Sequence, residues 1–194
     1  NPIMEFIDVT LRGSGQVIFM DNPLTGLLNF VAMFVGAARG GTSFEVAIGS
    51  VIGTMVSTAM AYLLKANRGN LKAGIYGFNG MLVGACLPTF LAANPLMWLF
   101  LVVGSAVSTI VIMAVANFLA PYKMPAFTFP FVLTCWLIVL YAKKITGLPP
   151  SAGGPLPEGG FNFITAGLNS VSQVWFVAYW VAGIIFLVAL AVES

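Results

Sequence analysis

"LMWLFLVVGSAVSTIVIMAVANFLA", Leu96 to Ala120, runs without one charged side chain. At about 1.5 Å of rise per residue, a helix over this stretch crosses the ~30 Å hydrocarbon core of a bilayer. The run is apolar on every face and does not alternate, which argues against a strand of a closed barrel. The rest of the chain agrees. It is 59% hydrophobic and 7% charged over 194 residues, where a soluble domain carries roughly 25% charged residues. Further apolar runs lie at Leu24–Ala38, Val46–Leu64, Met81–Ala93, Phe127–Ala142 and Val171–Val192. These are about six helical segments, and the chain reads as an all-α integral membrane protein whose first partner is the lipid bilayer.

With no histidine and six carboxylates scattered along the chain, there is no catalytic triad, no metal set and no spaced acid–base pair. An enzyme is not expected, nor a cofactor, a metal or a nucleic-acid partner. Cys86 and Cys135 lie inside apolar segments, where a thiol is a small hydrophobe, and they are assigned no chemistry. Apart from Asp21 and Glu45 near segment ends, no carboxylate falls inside a span to relay protons or bind sodium, so active transport is disfavoured. Asn1–Thr10, with Ile3, Phe6 and Ile7 beside Glu5 and Asp8, is expected to lie outside or along the membrane.

"TGLPPSAGGPLPEGGFN" (Thr146–Asn162) is rich in proline and glycine and reads as an exposed linker. After it the opening stretch returns. "SGQVIFMDNPLTGLLNFVA" from Ser14 aligns with "VSQVWFVAYWVAGIIFLVA" from Val171, pairing Gln16, Val17, Phe19 and Gly26 with Gln173, Val174, Phe176 and Gly183. The expected organisation is therefore a first transmembrane repeat over 1–145, of about five spans plus a half-helix. A linker over 146–165 and the first helix of a second repeat over 166–194 follow. Five spans would make the second repeat enter from the opposite face, the inverted-repeat plan of many transporters, with one repeat plus a stub present here. The chain is accordingly expected to be truncated. The balance of Lys and Arg puts its N-terminus weakly on the cytoplasmic side.

Polarity enters the apolar sequence at three places. Gln16 and Phe19 share a helix face if the helix continues through them, and Asn22-Pro23 beside them can start or kink a helix. Their recurrence at Gln173 and Phe176 points to a pore-lining role. In "NLKAGIYGFNGMLVGACLPTF" (Asn70–Phe90), helical small-residue spacing accounts for Gly80 and Gly84 as packing surface. "GFNG" goes further: a half-membrane helix ending near Asn79 would leave carbonyls of Phe78 and Asn79 facing a polar path, because lipid could not host them. In "MPAFTFPFVLTCWLIVL" (Met124–Leu140), Pro130 frees the carbonyls of residues 126 and 127 beside Thr128.

Together these stretches resemble the urea transporter family, whose members carry "GQVxF", "NPxxG", "GxNGxLVG" and "LPxFTxPF" in each half. Here they read "GQVIF", "NPLTG", "GFNGMLVG" and "MPAFTFPF", in the same order, over about residues 10 to 192. The resemblance implies a homotrimer of channel-like subunits in a bacterial cytoplasmic (inner) membrane, passing urea passively. It implies that Phe19 is a wall of an aromatic slot and Leu82 an apolar wall. Gln16 and Thr128 would be hydrogen-bonding groups, and carbonyls near Phe78–Asn79 part of a row of oxygens. Met124 replaces the family's leucine, and "AYWVAG" (Ala178–Gly183) in the second copy lacks the Asn-Pro. A channel for short amides, ammonia or water, and a scaffold subunit that transports nothing, remain alternatives.

Overall fold

A computed structural model describes residues 1–151 and 162–192; half of the linker expected over 146–165 falls outside them. Among the described residues the regular structure is helical, apart from one isolated antiparallel bridge between Leu91 and Pro150. It is an all-α membrane protein. Helix α1 (Pro2–Gly15) passes through a single 3-10 turn into α2 (Pro23–Ala38) with a bend of 75°. Then come α3 (Phe44–Leu63), the short α4 (Arg68–Lys72), α5 (Phe78–Phe90), α6 (Pro95–Leu119) and α7 (Phe129–Tyr141), with α8 (Phe163–Gln173) and α9 (Trp180–Ala191) after the linker. Among the described residues three helices are long and apolar enough to cross a membrane: α3, α6 with its 3-10 extension, and α7 with the turn after it.

The starts of these helices follow from local chemistry. Asn22 and Asn94 cap α2 and α6, accepting from the backbone N–H of Leu24 at 2.8 Å and Met97 at 2.8 Å. A proline occupies the first position of each helix, where no N–H is needed. Helix α1 is longer than a segment lying on the surface. It runs on to Gly15, and Val9, Thr10, Gly13 and Ser14 are buried among α2, α3 and α5.

Helix α5 differs from the expectation: it begins at Phe78, so Asn79 stands in its first turn and not at its end. Its 13 residues span ~20 Å, short of a full crossing. Gly80 and Gly84 do not break it, because an unpaired peptide group at membrane depth costs several kcal/mol against about 1 for a helical glycine. They form its contact surface instead. A Cβ on Gly84 would overlap the Gly49 carbonyl oxygen, and one on Gly53 that of Gly80, so α3 and α5 run antiparallel with backbones touching at two levels. The Ser57 hydroxyl, which lies beside Gly80 of α5, donates to the Ser105 carbonyl at 2.7 Å and Thr109 donates to the Ser57 carbonyl at 3.2 Å, tying α3 to α6 as well.

The expected continuous segment Val171–Val192 is two helices, broken between Gln173 and Trp180. The break copies the one after Gln16. Phe19 and Phe176 take left-handed φ values of 62° and 61°. Each donates its N–H to the carbonyl of its own glutamine at 3.0 Å. Gly26 and Gly183 make matching contacts as well, since a Cβ would overlap the carbonyl oxygens of Leu11 and Leu168. Helix α9 starts at Trp180, where α2 starts at Pro23, although Tyr179 offers no cap. There the segment entering the helix is held by Ala178, which donates to the Gly41 carbonyl at 2.7 Å.

A branched side chain at the α3–α5 contact has nowhere to go, because its neighbour is backbone. Gly84→Val is expected to cost at least the ~1–3 kcal/mol typical of overpacking, read as a lower unfolding midpoint in detergent. Gly167→Val, at a glycine with open space around its Cβ position, should cost no more than the change in helix propensity.

Candidate functional site

Two aromatic cavities lie at the two ends of α5. Phe78 and Phe90 are its first and last residues, ~18 Å apart by helical rise. The first cavity, about 520 Å³, is lined by Gln16, Phe19, Phe78 and Phe127 on one side and by Asn67, Asn70 and Asn117 among its polar groups. The second, about 370 Å³, is lined by Phe90, Phe131 and Phe176, with Val132 and Trp136 of α7. A groove along the start of α7, holding Thr128, shares Phe127 with the first cavity and Val132 with the second.

In each cavity a ring is thrust forward by the left-handed turn. Phe19 is 67% exposed and meets Phe127 edge-on, with centroids 5.7 Å apart and planes at 83°. Phe127 is itself left-handed, at φ 46°. At the other end Phe176 meets Phe90 at 6.2 Å and Phe131 at 6.3 Å, again edge-on. A bulky residue in this region is strained by about 1–2 kcal/mol, a cost the surrounding contacts must hold in place.

Those contacts can be named for the first copy. Gln16 ends α1 and does not share a helix face with Phe19. Its side-chain amide is buried and donates to the Ala73 carbonyl at 2.7 Å, pinning the turn to the loop before α5. That loop passes close because Gly74, at φ 77°, lies where a Cβ would strike the backbone of Arg12 and Gly13. Arg12 holds the other side. Its guanidinium donates to the Asp21 carbonyl at 2.9 Å and the Asp21 carboxylate at 2.8 Å, and to Asp8 at 2.7 Å.

Asn79 is buried and joins α5 to the segment before α7. Its amide N–H donates to the Phe127 carbonyl at 3.3 Å, and its oxygen accepts from the Phe131 N–H at 3.0 Å. The Phe127 carbonyl that Pro130 frees is therefore not left open, although a carbonyl oxygen keeps a second lone pair. The Ala126 carbonyl accepts from the Phe129 N–H at 3.3 Å. Phe78 and Asn79, being inside the helix, offer their carbonyls to the next turn and not to a cavity.

The structure thus brings Gln16, Phe19 and Phe78 to the first cavity, Phe176 to the second and Thr128, exposed, to the groove between them. Leu82 is buried one turn beyond Phe78, and Gln173 is exposed and lines none of the three. The reading of the sequence missed Phe90, Phe127 and Phe131, and the three asparagines. "FTFPF" carried Phe127 and Phe131 in plain view, and Asn117 is the lone amide of the charge-free run quoted first. Replacing Asn79 by leucine should leave the Phe131 N–H without its acceptor. The expected loss is about 1–3 kcal/mol of stability, with faster amide exchange at Phe131 than in the unsubstituted chain.

Comparison with known proteins adds to this geometry. A family model described as urea transporter matches residues 7–194. Urea transporter 1 of Ovis aries is 34% identical over 131 residues, covering 66% of this chain and 33% of the relative. Urea transporter 1 of Capra hircus matches with the same figures, and that of Mus musculus is 33% identical over 132 residues. The matched stretch is thus about a third of the length of these relatives.

Proposed function

The chain belongs to the urea transporter family, and from that premise we propose that it supplies one half of a passive urea pore. The permeation path runs from the Phe19 cavity along the start of α7 to the Phe176 cavity. The observation that carries the proposal is the repeated left-handed phenylalanine after Gln-Val-x, which presents a ring to a cavity at each end of the short α5. On this reading residues 1–145 are the first inverted repeat, 146–165 the linker, and 166–194 the opening of the second.

The chemistry suits a flat neutral solute. Urea carries four N–H donors and one acceptor, and taking such a group from water without replacing its hydrogen bonds costs about 2–7 kcal/mol. Asn67, Asn70 and Asn117 at the mouth, the spare lone pair on the Phe127 carbonyl and the Thr128 hydroxyl offer replacements in sequence. Edge-on rings narrow the passage so that thickness, as well as polarity, selects. Gln16 serves by anchoring the turn that carries Phe19, and Leu82 by backing the first cavity. Among the described residues the carboxylates are Glu5 and Asp8 on α1, Asp21 in the bend and Glu45 in the first turn of α3. None stands in the middle of a helix of spanning length, which favours passive flow over ion-coupled transport. The exposed apolar stripe of α6, Leu99, Val102, Val103, Val107 and Ile110, supplies a face for lipid or for a neighbouring subunit of a trimer in a bacterial inner membrane.

Stopped-flow urea uptake into liposomes tests the proposal, using this chain beside a version extended through a second half. Accelerated uptake with the extended protein is expected. Uptake no faster than in empty liposomes for both would leave the scaffold reading. In the extended background, Phe19→Ala should reduce the preference for urea over the thicker N,N′-dimethylurea by up to about tenfold, the worth of one well-placed aromatic contact. An unchanged ratio would remove Phe19 from the path.

A further inference from the structure

The sequence reads Thr146–Asn162 as an exposed linker, yet its first residues are tied down. Leu148 is buried in the same apolar cluster as Leu87, Leu91 and Ala142, and its N–H donates to the Ala142 carbonyl at 3.1 Å. Gly147, at φ 66°, makes the reversal that brings it there. Beyond it the chain pairs with the end of α5. The Ala92 N–H donates to the Pro149 carbonyl at 2.9 Å, and the Ser151 N–H donates to the Phe90 carbonyl at 3.2 Å. Leu91 and Pro150 stand opposite each other between these bonds, at the kind of antiparallel position where no N–H is required and proline costs nothing. We infer that Leu148–Ser151 is a strap that positions Phe90, and with it the aromatic contact at the second cavity.

The last turn of α5 needs such a tie. Pro88 lies inside the helix and has no N–H, so the turn that carries Phe90 lacks one of its own hydrogen bonds. Phe90 is the final residue of α5, and its carbonyl has no partner further along the helix. Leu91 after it is already extended, at φ −124° and ψ 140°. A ring on a frayed turn would sample several positions, whereas Phe90 meets Phe176 edge-on at 6.2 Å. The strap supplies what the helix lacks, with Ser151 donating to Phe90 itself and Pro149 accepting from the residue two further on. Its other end springs from α7, whose Val132, Trp136 and Val139 line the same cavity as Phe90. Helices α5 and α7 are therefore joined at their ends through backbone, so the side chains of this stretch do not announce its role. If the permeation route proposed above holds, the strap sets one of its narrow points. That consequence rests on that reading; the strap itself does not.

The test uses the purified chain in detergent with 4-fluorophenylalanine in place of Phe90, read by fluorine NMR together with amide exchange at Leu91 and Ala92. Ser151→Pro removes the donor to the Phe90 carbonyl; Ser151→Ala keeps it. In Ser151→Pro the fluorine signal is expected to shift or broaden, and Ala92 to exchange about two- to tenfold faster, the worth of one hydrogen bond. Leu91, whose N–H bonds to the Leu87 carbonyl at 2.9 Å, should keep its rate, and Ser151→Ala should match the parent throughout. An unmoved fluorine signal in Ser151→Pro, or an equal change in Ser151→Ala, would overturn the proposal. Equal acceleration at Leu91 would overturn it too, since the bond would then serve general stability and not the placing of Phe90. Should the proline variant not fold, Leu148→Ala carries the test, because it withdraws the buried anchor and leaves every backbone group in place. There as well, an unmoved signal counts against the strap. Uptake by the extended protein is read separately, and Ser151→Pro should lower its preference for urea over N,N′-dimethylurea by up to about tenfold. A moved signal with an unchanged preference would uphold the strap and count against the route through the Phe176 cavity.

Discussion

Hydrocarbon offers no hydrogen bonds, and three departures from regular helix in this chain are shaped by that refusal. At the bend after α1, the Met20 N–H returns to the Gly15 carbonyl at 3.2 Å; after α8, the Val177 N–H returns to the Ser172 carbonyl at 3.2 Å. Ahead of α7, where Pro130 removes a donor, the side chain of Asn79 supplies one. Each irregular stretch is thereby closed by its own neighbours, and each closure leaves a phenylalanine facing a cavity. The polar network serves to permit an interruption that bare backbone could not survive.

The same constraint explains which parts of the fold were legible in sequence. Long charge-free runs announce α3, α6 and α7, because nothing else tolerates lipid on all sides. Asn22-Pro23 announces the start of α2 through capping chemistry. The break between α8 and α9 carries no such sign, since Val174 to Ala178 is as apolar as its flanks. It became readable only through the recurrence of Gln-Val-x-Phe, and the sequence comparison did not extend that likeness to the backbone. Glycines misled in the other direction. Around Asn79 they read as helix breakers, whereas in this setting the cost of an open peptide group outweighs glycine's entropy, and they became a contact surface.

The candidate site was half legible for a related reason. Residue type identified Gln16, Phe19, Phe78 and Thr128, but the partners that give them their roles lie far away in sequence. Arg12 reaches Asp21, Gln16 reaches Ala73, and Asn79 reaches Phe127. Only the folded chain makes these pairs, and only it brings Cys86 and Cys135 to one cavity. The second copy shows which parts of the arrangement are indispensable. It keeps the left-handed phenylalanine, its glutamine carbonyl and the glycine contact, and it dispenses with the Asn-Pro cap by borrowing a hydrogen bond from the loop at Gly41.

A left-handed phenylalanine also sets stability against use at a single position. Glycine at 19 or 176 would relax the backbone and make the chain more robust while removing the ring. A search for hardier variants of this protein, run blind to transport, would therefore drift toward losing the residues that face its cavities. With the pore role proposed for these rings, selection on robustness alone and selection on permeation would part company there, so the frequency of glycine recovered at 19 and 176 becomes a gauge of which pressure was acting.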